Sequence, residues 1–85
     1  MDSVQTLTYL HDRYLREARE QQQLRLSYAR MKKEQPDSQG LDSNLRLHQG
    51  KEAALYMVVN DLRHLLNLPP LEESSHYHGY AYNEA

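Results

Sequence analysis

Apolar positions along this chain fall into two long helical patterns separated by a single break. Ser3 to Glu34 holds no Gly or Pro and is rich in Leu, Arg, Glu and Gln, residues that lose little freedom in a helix. Leu7, Tyr14, Gln21 and Tyr28 recur at heptad spacing, and so do Leu10, Glu17, Leu24 and Met31. Both registers turn polar across Arg16 to Gln23, where only Ala18 is apolar. A coiled-coil seam would stay apolar there, so the pattern predicts a helix over 3–34, apolar at its ends and polar at its waist. Asp2 or Ser3 is placed to cap its start.

The break is Gln35 to Gly40. Pro36 disfavours helix at the residue before it, and Asp37, Ser38 and Gly40 supply turn chemistry. After a turn over 35–41, Asp42 or Ser43 is expected to cap a second helix over 42–68, closed by Pro69-Pro70. Its stripe reads Leu41, Leu45, His48, Glu52, Leu55, Val59, Leu62 and Leu66. The short connection predicts antiparallel neighbours, with facing residue numbers summing to about 77. That register sets Glu52 beside Arg25, Val59 beside Ala18 and Gly50 beside Ser27. An Arg–Glu pair on the inward stripe more often fixes register than adds stability. Gly50 is either a close crossing of two backbones or a glycine merely tolerated in a helix.

Ala53 to Val59 is an uncharged run of Ala, Leu, Tyr, Met and Val. Consecutive positions cover every face of a helix, so one partner helix cannot cover them all. Opposite it stands the polar waist, and a lone hairpin would leave Tyr56, Met57 or Val58 in water. Burying each such side chain is worth about 1.5–3 kcal/mol, a large share of a small domain's stability. The expectation is an all-α antiparallel hairpin that self-associates, a dimer first, into a four-helix or larger bundle. Leu55, Tyr56, Met57, Val58, Val59, Leu62, Leu65 and Leu66 would form core and self-interface. The alternative cover is the chain's own C-terminal tail.

Composition narrows the class. At 85 residues the chain is one small unit, without Cys, Phe or Trp and with seven Tyr. No disulfide, thiolate metal site or thiol nucleophile is available. Met1 to Leu10 lacks the basic and apolar segments of a signal peptide, and no apolar run approaches the roughly 20 residues of a membrane span. A cytoplasmic protein is expected. Residues 1–68 carry all ten basic residues against nine acidic ones, while 69–85 carry three Glu and no base. That balance gives little reason to expect nucleic acid.

Residues 69–85 form a tail with His76, Tyr77, His78, Tyr80 and Tyr82. Two imidazoles do not complete a metal site, even with Glu72 and Glu73 nearby, so no cofactor is expected. His11 and His48 fall on inward faces, where a satisfied core histidine is the ordinary reading. Asp61 and His64 have the spacing of a di-iron bundle motif but no inward Glu companions, and no phosphate loop is present. Arg16, Arg19, Gln23, Arg30 and Lys33 run along one side of the first helix, partly offset by Glu17 and Glu20. Tyr9, Arg13, Tyr14 and Arg16, or Tyr77, Tyr80 and Tyr82, would serve as partner-facing or nucleotide-stacking groups.

Ser38-Gln39-Gly40-Leu41-Asp42 resembles the Ser-Gln-x-Leu-Asp motif of the aspartyl-phosphate phosphatases built as small helical hairpins. Ser43-Asn44 stands where that motif continues with an apolar pair, and Gly40 interrupts its helix, so membership does not follow. In size and build the chain resembles small phage or mobile-element proteins that bind a host component. The functional expectation is a non-enzymatic regulator or inhibitor of a protein partner; the alternative is an oligomer that sequesters a nucleotide signal.

Overall fold

A computed structural model describes residues 2–71. They form α1 (Ser3–Glu34) and α2 (Gln39–Leu65), which pack against each other as a helical hairpin with no strand among the described residues. Met1 and residues 72–85, with His76, Tyr77, His78, Tyr80 and Tyr82, lie outside the described part.

Asp2 caps α1 through a reciprocal box: its side chain accepts from the Gln5 backbone N–H at 2.8 Å, and Gln5 Oε1 accepts from the Asp2 backbone. At the far end Lys32 and Lys33 sit in the last turn, where the helix dipole favours positive charge.

The break is tighter than the turn residues imply. Ser38 caps α2, its Oγ accepting from the Leu41 N–H at 3.3 Å, so the helix starts at Gln39 rather than at Asp42. Gly40 has no positive φ and stands inside the first turn as an ordinary helical residue. Pro69-Pro70 does not end the helix either; Leu65 does. Asn67 takes a left-handed φ of 60°, the Asn67 N–H reaches the His64 carbonyl, and the Leu68 N–H reaches the Arg63 carbonyl at 2.8 Å. This is a Schellman end with Asn in glycine's usual place. The chain then turns back along α2, where Arg63 Nε donates to the Pro69 carbonyl and the Leu71 N–H to Asn60 Oδ1.

The apolar core is thin. Ala18, Tyr56 and Val59 are fully buried and Leu62 nearly so. Ala18 and Val59 are a pair the antiparallel register matched. Tyr56, which the sequence reading has a lone hairpin leave uncovered and so gives to the self-interface, is instead fully buried within the hairpin, because the waist of α1 answers it: Gln22 Oε1 accepts from the Tyr56 hydroxyl at 3.1 Å. A buried Tyr needs such a partner for its polar end. Leu55, placed on the stripe by its apolarity, is only half-buried. The close-crossing reading of Gly50 also fails, since a methyl built there meets nothing within 4 Å and the residue is exposed.

Candidate functional site

Between the helices runs a seam built largely of polar pairs. Arg25 Nε donates to both carboxylate oxygens of Glu52, at 2.8 and 3.2 Å, and Glu52 is completely buried. This is the pair that the register predicts. His48 meets Gln21 at 2.6 Å through Nδ1 and stacks on Tyr28 with centroids 5.2 Å apart and planes 10° from parallel. Lys32 pairs with Asp42 next to the turn. α1 is polar here because α2 presents His48, Glu52 and Tyr56, each of which needs a hydrogen-bonding partner; Gln21 and Gln22 of the waist and Arg25 just beyond it supply them. Among the described residues no buried side-chain nitrogen or oxygen lacks one.

His11 shows the same economy. It is buried, with Asp12 Oδ1 2.9 Å from Nδ1 and Arg63 Nη1 3.1 Å from Nε2. A guanidinium only donates, so Nε2 accepts and the ring hydrogen stands on Nδ1, shared with Asp12. The Asp–His geometry thus resembles half of a catalytic array, but Arg63 occupies the nitrogen a general base would use. His48 is likewise engaged on its ring face and at Nδ1. Among the described residues no group of three or more His, Asp or Glu has the geometry of a metal site, and no helix is long and apolar enough to cross a membrane.

Asp42 is held below its ordinary carboxylate value of 3.8, chiefly by its hydrogen bond to Lys32; burial opposes this, and the charges of Arg46 and Lys32 add smaller lowering effects. Arg46 lies 3.4 Å away across one helical turn. The cluster is explained by its place beside the turn, where it ties the start of α2 to the end of α1.

The candidate contact residues divide between core and surface. Tyr56, Val59 and Leu62 are spent inside the hairpin, with Leu55 and Leu66 half-buried. Met57, Val58 and Leu65 stand in the open, at 49%, 40% and 61% exposure, and so does Leu47 at 52%. The inner stripe passes over Leu47, although its heptad relation to Ala54, and that of Val58 to Leu65, is visible in the sequence. On α1, Tyr9, Arg13 and Arg16 are exposed on the outer side, with Arg13 drawn to Glu17 at 3.7 Å, whereas Tyr14 is half-buried. Arg16 also borders an open groove with Asp12, Leu15, Arg19, Glu20 and Gln23. The structure therefore brings Tyr9, Arg13 and Arg16 to one surface and leaves Tyr14 off it. No protein-family model, curated protein or solved structure matches the chain.

Proposed function

We propose that this chain is a non-catalytic helical hairpin that self-associates and acts by binding and modulating a protein partner. The observation that carries this reading is the apolar surface of α2 outside the seam: Leu47, Met57, Val58 and Leu65 are solvent-exposed in a hairpin whose own interior is already satisfied. Exposed apolar side chains mark interaction surfaces where they cluster, and α1 adds Val4, Tyr9, Leu24, Leu26 and Met31 to those in the open. The histidines on α1 and at the centre of α2 have their partners within the hairpin, which supports a binding role over a chemical one. The outer side of α1, with Tyr9, Arg13 and Arg16, is the surface assigned to the partner.

Two measurements test the reading. Sedimentation of the full chain at tens of micromolar is expected to show a dimer or larger species; a clean monomer overturns self-association. Thermal-shift screening against a panel of nucleotides is expected to show no response. A large rise in melting temperature with one nucleotide would replace the protein partner with a small-ligand function.

A further inference from the structure

We infer that α2 pairs antiparallel with α2 of a second copy along the strip Leu47, Lys51, Ala54, Val58, Asp61 and Leu65, in one register centred on Tyr56. This rests on the self-association proposed above and specifies its geometry.

The strip is a second helical ridge, distinct from the seam. Lys51, Val58 and Leu65 each follow a seam-side residue (His48, Leu55, Leu62) by three positions, which places them on the neighbouring ridge of the helix. Spacings along the strip alternate between four and three residues, the heptad pattern of an a/d seam. All six residues are exposed. Leu24 and Met31 bear the same three-residue relation to Gln21 and Tyr28 on α1, and they too are exposed. Gln21 and Tyr28 meet His48 on one side of the hairpin, so these ridges border a common face. The returning chain takes the other flank of α2, since Leu71 is tied to Asn60, one turn beyond Tyr56. The strip is left open by every described residue.

Charge identifies the occupant. Leu47 and Leu65 lie nine residues either side of Tyr56, Lys51 and Asp61 five, and Ala54 and Val58 two. An antiparallel copy related by a two-fold axis at this level sets Leu47 against Leu65, Lys51 against Asp61 and the small Ala54 against Val58. A two-fold interface is self-complementary, so each pairing occurs twice. Neither Lys51 nor Asp61 forms an ion pair among the described residues. A parallel pairing would instead put Lys51 against Lys51 and Asp61 against Asp61. The strip is thus attractive to itself in one orientation and repulsive in the other.

Charge reversal and cross-linking on the full chain test this. Lys51→Glu or Asp61→Lys alone turns two symmetry-related pairs repulsive and is expected to weaken dimerisation about tenfold. The double reversal is expected to restore it, with unchanged circular dichroism throughout because both residues are exposed. The chain lacks cysteine, so Leu47→Cys and Leu65→Cys are clean probes. They lie about 27 Å apart along one helix, far beyond disulfide reach, and a bond between them must join two copies. A mixture of the two single variants is expected to oxidise to the mixed species. Cross-linking of Leu47→Cys with itself overturns the register. A dimer that neither cross-links nor responds to charge reversal overturns the strip while leaving self-association standing. A monomer in sedimentation overturns both.

Discussion

Replacing Arg25 by Met leaves the Glu52 carboxylate fully buried with its donor gone. The two Arg25 hydrogen bonds, at 2.8 and 3.2 Å, are the contacts that hold that charge inside the hairpin. Breaking a buried ion pair on one side costs about 3–5 kcal/mol, against a total stability for a small domain near the low end of about 5–15 kcal/mol. With a urea dependence of about 1 kcal/mol per molar, the unfolding midpoint should fall by about 3 M or more. Replacing both residues, Arg25→Met with Glu52→Met, removes the charge as well as its partner and should recover most or all of the loss. The assay is urea unfolding followed by circular dichroism at one fixed protein concentration, because association adds its own concentration-dependent stability. The double-mutant cycle then gives the coupling directly. An Arg25→Met loss below about 1 kcal/mol, or a double variant weaker than the single one, would refute the reasoning, since either means that water reaches the carboxylate.

Four further outcomes are expected from the same assay. Tyr56→Phe should cost about 0.5–1.5 kcal/mol for the lost hydrogen bond to Gln22, and Tyr56→Ala about 3–5 kcal/mol; equal losses would show that the ring is not packed. Gly50→Ala should stabilise by about 1 kcal/mol because the site is exposed and open, and a loss there would reveal a close approach at that position. Asn67→Val should cost about 1–2 kcal/mol at its left-handed backbone, while Asn67→Gly should be tolerated; indifference to both would mean that the Schellman end does not form. Asp42 is lowered from 3.8 by Lys32 and Arg46, so its contribution is full above that value and is lost as pH falls through the lowered folded value. Asp42→Asn should flatten that part of the acid limb, and identical limbs in both proteins would count against the pairing.

How much of this was legible in the sequence depended on what each residue needed from its neighbours. The hairpin, the extent of α1 and the Arg25–Glu52 register follow from heptad spacing and from Pro36, which are local signals. The bounds of α2 do not, because Gly40 reads as a turn yet costs little in a first helical turn capped by Ser38, and because Asn67 ends the helix before the prolines. Tyr56 was the largest surprise. Its burial depends on Gln22, and a glutamine on a polar waist announces nothing until the two helices are aligned. Conversely, the spacing of Leu47 and Lys51 is visible in the sequence, but the stronger apolar inner stripe gives no sign that a second ridge beside it stays open. The Tyr and His residues of the tail fall outside the described part, so the sequence reading of them stands as an expectation.

The cross-helix pairs also impose an order in time. Four of them are nested: Lys32–Asp42 spans ten residues, Arg25–Glu52 twenty-seven, Gln22–Tyr56 thirty-four and His11–Arg63 fifty-two. Closing a loop costs about 1.5RT times the logarithm of its length, so the outermost pair costs about 1.5 kcal/mol more to close from the open chain than the innermost. The hairpin is therefore set to zip from its turn, each pair shortening the loop that the next must close. In the folded protein the sequence runs backwards, and amides beside His11 and Arg63 should exchange with solvent ahead of those beside Arg25 and Glu52.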